Sequence, residues 1–276
     1  METTNEHFWN VDSRALRTKI VLCISGYDPT GGAGLLADTV ALAGLGIRTA
    51  GAITALTIQG PARTVRFSPV EPKFFAETLA ALTADLPISA VKIGMLGSGE
   101  NVRIVRDFLR RRPKNVPVVI DPVLTAGAGG ALGDEDVFAV LRDELTAQAT
   151  LIAPNVPEAE RLCNLSIKQP FECERAAQRL REMGAGNVLI KGGHLDGDPV
   201  DRLWTTDGFF EWKNQRKEGA EVHGTGCALA ALIAGLLAQE KPMDEAVGTA
   251  IETLQQAISS AWSPTNEGWR FSGLVG

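Results

Sequence analysis

Six short apolar runs rich in β-branched residues punctuate the chain, at residues 20–24, 50–56, 90–93, 116–120, 150–152 and 188–190. Near-continuous runs of this length read as strands buried on both faces rather than strands with one wet face. Between them lie amphipathic stretches of helix length at 34–45, 73–85, 101–111, 136–147 and 174–183. Strands and helices in alternation predict an α/β fold, a three-layer sandwich whose mostly parallel central sheet is covered by helices on both faces. One segment departs from the alternation. Residues 200–205 and 209–212 flank Thr206-Asp207-Gly208, and Asp-Gly between two such runs is a hairpin signal. Long helices at 226–238 and 244–261 follow. No internal repeat, low-complexity linker or composition shift divides the chain, so one domain over 1–276 is expected, with loose termini at 1–18 and 263–276.

Composition narrows the function classes. With 45% hydrophobic and 22% charged residues the chain can bury a sizeable core, which excludes intrinsic disorder. The net charge of −6 argues against a nucleic-acid partner. The one dense basic run, Arg110-Arg111-Arg112 with Lys114, falls at a helix end where cations suit the dipole, and it reads as a solvated terminus. Four cysteines without C-x-x-C pairing and only three histidines argue against a zinc cage and for a reduced, cytoplasmic compartment. The first ten residues are polar and acidic, unlike a signal peptide. The longest run lacking Asp, Glu, Lys and Arg, 222–239, reaches the lower limit for a membrane span. Its small residues and His-Gly-Thr-Gly-Cys opening favour a helix buried against the sheet, with no membrane partner.

The 29 glycines, about a tenth of the chain, collect in loops after strands. The first strand runs into Gly26-Tyr27-Asp28-Pro29-Thr30-Gly31-Gly32-Ala33-Gly34, at the carboxyl end of the sheet where ligands of such folds sit. It has neither dinucleotide-fingerprint nor Walker spacing, so a tight turn and a close approach to a small ligand both remain open. His223-Gly224-Thr225-Gly226-Cys227 opens a helix, where successive N–H groups make an anion site. A thiol in that first turn is expected to have a lowered pKa and to serve as a base or orienting group; a small buried hydrophobe is the other reading. In Asn155-Val156-Pro157-Glu158 a helix cap and a hold on hydrated magnesium compete. Lys191, in Lys191-Gly192-Gly193-His194, either ends a strand in water or neutralises a phosphate.

Taken in order, these motifs resemble the ribokinase-like superfamily, and within it the hydroxymethylpyrimidine and phosphomethylpyrimidine kinases of thiamine biosynthesis. The resemblance spans residues 19–261. Further carriers are Asp38, Ile53-Thr54-Ala55-Leu56 leading to Gln59, Lys92-Ile93-Gly94-Met95-Leu96, and Asp121-Pro122-Val123. It implies an ATP- and Mg2+-dependent kinase of 4-amino-5-hydroxymethyl-2-methylpyrimidine and then of its monophosphate. Gly224, Thr225 and Gly226 would form the anion hole, and Cys227 would accept or orient the substrate's hydroxyl proton. Lys191 and Asn155 would face ATP, and Glu158 with Asn155 would hold magnesium through water. Gly26, Ala33, Asp38, Gln59, Met95 and Val123 would line the pyrimidine site, with the Gln59 amide pairing with the ring.

Two departures stand out. The family's flap lysine is missing from residues 124–130, and the usual glycine-proline ending is replaced by Gly268-Trp269-Arg270-Phe271. The resemblance also implies a homodimer. Alternative readings are a pyridoxal or pyridoxamine kinase of the same superfamily and a non-catalytic pyrimidine sensor.

Overall fold

The computed structural model describes residues 18–60, 63–124, 133, 135–216, 222–263, 270–271 and 273. All but residue 124 of the expected flap at 124–130, and most of both expected loose termini, therefore lie outside the described residues. Within them the chain runs β1 (Ile20–Tyr27), α1 (Gly34–Gly44), β2 (Arg48–Gly60), β3 (Arg63–Pro69), α2 (Pro72–Asp85), β4 (Ile88–Ile93), α3 (Gly99–Arg110) and β5 (Val118–Ile120). It continues through α4 (Glu135–Val140), β6 (Leu151–Ile152), α5 (Val156–Cys163), α6 (Glu172–Glu182) and β7 (Asn187–Ile190). The hairpin β8 (Val200–Trp204) and β9 (Phe209–Lys213) comes next. It is followed by β10 (Val222–His223), α7 (Thr225–Ala238), α8 (Met243–Ser259) and β11 (Arg270–Phe271).

The nine-stranded sheet has the order β3-β2-β1-β4-β5-β6-β7-β8-β9. Its middle, from β2 to β7, is parallel, and these strands are the six apolar runs of the sequence. Antiparallel pairs finish both edges, β2 with β3 on one side and the β7-β8-β9 ladder on the other. The expected hairpin is β8–β9. The strand β3 was not anticipated: Arg66 and Ser68 alternate with Val65 and Phe67 on an edge strand, so no apolar run marks it. The helix expected at 136–147 is regular only as α4. It then widens into a single π-turn over Leu141–Leu145, where the Thr146 hydroxyl donates to the Leu141 carbonyl at 3.0 Å.

Strand pleating divides the core in two. Val21, Cys23, Ala90, Val119, Leu151 and Leu189 face α1, α7 and α8, whereas Leu22, Ile24, Val91, Ile93, Ile120 and Ile190 face α2 to α6. Each fully buried side chain of this size contributes about 1.5–3 kcal/mol of transfer free energy. Helix α7 is buried on nearly all sides, lying between α1, α8 and the strands β4 and β5. That explains its lack of charge without a membrane, and among the described residues no helix is long and apolar enough to cross one.

Capping fixes where the helices begin. Ser98 accepts the Asn101 N–H at the start of α3, and Glu71 accepts from Lys73 and Phe74 ahead of α2. At the other end of α3 only part of the basic run is a solvated terminus. Arg112 turns inward and donates to the carbonyls of Leu109, Val116 and Gln148, tying the helix end to the neighbouring turn.

Candidate active site

The chain leaves β2 toward one edge of the sheet and re-enters at β4 on the other side of β1, so β1 and β4 bound a crevice at their carboxyl ends. The loop after β1 is built around Asp28. Its Oδ1 accepts from the Thr30 N–H and hydroxyl, both at 2.8 Å, and its Oδ2 accepts the Ala33 N–H at 2.9 Å. His223 Nε2 lies 2.9 Å from the same Oδ2, which ties this loop to the segment ahead of α7. Burial alone would raise the Asp28 carboxyl, but hydrogen bonds from His223, Gln59 and Thr30 outweigh it and hold the pKa at about 2. Gly34 and Gly224 have φ of +60° and +75°, and a methyl group on either would collide with the carbonyls of Gly26 and Gly32 respectively. Glycine at 34 lets the loop after β1 fold back on its own backbone, and glycine at 224 lets the two loops meet backbone to backbone.

Helix α7 begins at this junction. Its first intrahelical bond runs from the Ala228 N–H to the Gly224 carbonyl, so the amides of Thr225, Gly226 and Cys227 precede the ladder, at the positive end of the dipole. Lys191 comes from the end of β7 to the same spot: a methyl on Gly226 would sit 3.1 Å from its Nζ. Lys191 Nζ is 2.6 Å from Asp121 Oδ1, just past β5, and 3.9 Å from Glu158 Oε2 in α5. Burial would lower this ammonium, but the carboxylates of Asp121 and Glu158 keep it firmly charged.

Asn155 and Glu158 form a complete capping box. The Asn155 side chain accepts the Glu158 N–H at 2.9 Å, and Glu158 Oε2 accepts the Asn155 N–H at 2.7 Å. The cap reading is thus realised. Burial raises the Glu158 carboxyl to about 7 against the pull of Lys191, and the same carboxylate lies beside Asp121 and Lys191.

Cys227 departs from expectation. Its sulfur accepts the Gly34 N–H, yet burial pushes the thiol up to about 12 instead of down, and Lys92 offsets only part of that. Desolvation of the thiolate outweighs what the helix start and the Gly34 N–H offer it. Cys227 is half-buried, whereas Cys23, Cys163 and Cys173 are buried.

Asp38 also departs from the ligand-facing position expected of a substrate-site acid. It is sealed, with no exposed side chain, and both its oxygens accept from Lys92 Nζ at 2.8 Å. Ser25 completes the cluster, its hydroxyl donating to Asp38 at 2.7 Å and accepting from Lys92 at 3.0 Å. Burial works to lower this ammonium, but Asp38 foremost, together with Asp121 and other groups beside it, outweighs burial and keeps it charged.

Met95 and Val123 meet in a small apolar cluster with Ala55 and Phe67, separate from both core halves. Gly26 backs this cluster, since a methyl there would stand 2.8 Å from Met95 Sδ. Gln59 and Ala33 flank the same Asp28 network. The Gln59 amide is engaged: it bonds to Asp28, and its Oε1 accepts from the Thr64 hydroxyl at 2.9 Å. Residues with no role in the sequence reading enter here, among them Asp28, Lys92, Asp121 and Phe67. Asp28-Pro29-Thr30 carried an Asx-turn signal, and a lysine within an otherwise apolar strand signalled a buried partner. Phe67 had no signal, because its strand did not.

The mostly parallel nine-stranded sheet with helices on both faces is a ribokinase-like fold, as its structural neighbours show. A pyridoxal kinase from Staphylococcus aureus, solved in complex with AMP-PCP and pyridoxal, superimposes with a TM-score of 0.85 at 26% identity over 93% of each chain. The phosphomethylpyrimidine kinase of Clostridium difficile superimposes at 0.78 with 30% identity, over 87% of this chain and all of its own. Residues 28–270 match the family model described as phosphomethylpyrimidine kinase, and the chain belongs to that family. The hydroxymethylpyrimidine/phosphomethylpyrimidine kinase of Aquifex aeolicus is 37% identical over 88% of this chain and 95% of its own. The thiamine biosynthesis bifunctional protein ThiED of Geobacter sulfurreducens is 39% identical over 87% of this chain, which spans 49% of that longer protein.

Proposed function

We propose that this chain transfers the γ-phosphoryl group of ATP to the hydroxymethyl group of 4-amino-5-hydroxymethyl-2-methylpyrimidine, and then phosphorylates the monophosphate. The observation that carries this reading is the junction of the α7 amides with Lys191, in a member of the phosphomethylpyrimidine kinase family. Phosphoryl transfer has a loose transition state with charge spread over three oxygens, so catalysis is mostly positioning and charge stabilisation. The amides of Thr225, Gly226 and Cys227 supply oriented donors that need no reorganisation. Lys191 has donors beyond its short bond to Asp121 to offer phosphate oxygens.

Met95, Val123 and Phe67 offer apolar walls for the pyrimidine, and Gln59 turns its amide from Thr64 and Asp28 to the ring. Cys227 orients the substrate hydroxyl. Burial keeps the resting thiol protonated at neutral pH, so the hydroxyl proton passes to an oxygen of the transferring phosphoryl group as the new O–P bond forms and the bond to ADP breaks. The apolar cluster also fits a pyridine, so the pyridoxal kinase reading belongs in the same assay. ATP use has the support of the AMP-PCP complex of the related pyridoxal kinase.

Magnesium fits the donor set. Among the described residues no three His, Cys, Asp or Glu form a metal cage. Glu158 and Asn155 offer hard oxygens beside the lysine, which suits an ion bound mainly by phosphates and water. When bound it would neutralise phosphate charge. A homodimer and a cytoplasmic location complete the proposal.

An ADP-release assay with the pyrimidine, its monophosphate, pyridoxal and pyridoxamine tests it. Turnover of the pyrimidine is expected, with Cys227→Ala losing about 10²–10⁴-fold in kcat while ATP binding persists. Turnover of B6 vitamers alone would assign the other kinase reading. Pyrimidine binding with no turnover of any substrate would make the chain a sensor.

A further inference from the structure

A lysine and an aspartate with no exposed side-chain surface are costly to bury, and apolar residues of similar size usually serve stability as well or better. The pair Lys92–Asp38 therefore calls for a role that charge alone can fill. Its position supplies one. Asp38 stands one helical turn after Gly34 on α1, so the two residues share a face, and the Gly34 N–H is the donor to Cys227 Sγ. Lys92 clamps both Asp38 oxygens from β4, and Ser25 braces the pair from β1. Room for the ammonium comes from Gly94, where a methyl would stand 2.9 Å from both Lys92 Nζ and Ser25 Oγ.

We propose that the sealed Lys92–Asp38 pair, braced by Ser25, is a positioning unit for Cys227, holding the start of α1 against the start of α7 and keeping a fixed positive charge near the sulfur. The inference rests on the assignment of Cys227 to the kinase reaction. The charged groups facing the thiol are Lys92 from β4, Asp38 from α1, Asp121 after β5 and Lys191 after β7. The two aspartates disfavour the thiolate, whereas Lys92 favours it and outweighs Asp38. Removing the pair as a unit therefore makes the thiol harder to ionise.

Site-resolved alkylation by iodoacetamide, read by mass spectrometry from pH 7 to 10.5, tests this on the full chain. The other three cysteines are buried and serve as internal controls. In Lys92→Met/Asp38→Asn, which leaves no unpaired charge, and in Lys92→Gln, Cys227 alkylation at pH 9 is expected to slow about fivefold or more. The kcat for the pyrimidine should fall with it, while the KM for ATP stays within about twofold. An unmoved alkylation profile in a variant that still melts cooperatively overturns the proposal, even if kcat falls, because a merely structural role would do that. Loss of the folded state in both variants also overturns it, since the pair is then a folding element. A shifted profile in a protein that never phosphorylates the pyrimidine leaves the positioning role standing and removes the substrate assignment instead.

Discussion

Among the described residues, two lysine–aspartate pairs lie at the carboxyl edge of the sheet beside the start of α7, and they differ in their access to water. Lys92 and Asp38 have no exposed side-chain surface, whereas Lys191 and Asp121 keep 13% and 2%. Lys92 is saturated: its three protons meet both Asp38 oxygens and the Ser25 hydroxyl. Lys191 makes one short contact to Asp121 and a long one to Glu158, and it borders the free amides of α7. The same two residue types thus do different work. A saturated ammonium has no proton left for a ligand and acts through its fixed charge. An unsaturated one at the edge of a cleft can accept a phosphate without first breaking its best bond.

The largest expected effect separates the pairs by stability. Lys92→Met leaves Asp38 buried and alone, which costs on the order of 3–5 kcal/mol in urea unfolding. Lys191→Met also strands a buried carboxylate, Asp121, but removes a lysine that is itself 13% exposed, so its cost should be smaller, about 1–3 kcal/mol. Equal losses in the two variants would erase the distinction between a sealed and an open pair. Activity should order them the other way for nucleotide. Lys191→Met removes a charged hydrogen-bond donor to phosphate, worth about 1.5–3 kcal/mol, so kcat/KM for ATP falls roughly 10–100-fold. An unchanged kcat/KM would return Lys191 to the role of a strand end in water.

The two pairs also mark how far the sequence could be read. The parallel strands from β2 to β7 were legible because burial on both faces demands an apolar run, and the β8–β9 hairpin because turn residues at 206–208 separate two β-prone runs. The strand β3 was not, since an edge strand needs neither. At the site, the glycine loops were legible because positive φ and close backbone approach admit few other residues, as Gly34 and Gly224 show. Side-chain partnerships across the fold were not. Lys92 and Asp38 are 54 residues apart, and Lys191 and Asp121 70 apart, so no local pattern joins them. The Cys227 thiol was placed correctly at a helix start, yet its ionisation followed the depth of burial, which no spacing records.

A third carboxylate sharpens the comparison by pairing with a histidine at an intermediate depth. Asp28 collects hydrogen bonds from Thr30, Ala33 and His223, and its pKa of about 2 lies below the value near 3.9 of an unfolded chain. A depressed carboxyl stabilises the fold above the unfolded pKa, and this contribution fades as pH falls through the folded one. Its full size is about 2 kcal/mol. Asp28→Asn should therefore lower stability by about that amount at pH 6, and the gap to the native protein should shrink progressively below about pH 4. Urea melts at pH 6, 4 and 3 measure it. A gap that stays constant over this range would mean that Asp28 contributes through its geometry alone, as a hydrogen-bonding turn residue. The graded use of charge from Lys92 to Lys191 to Asp28 would then reduce to the two lysine pairs.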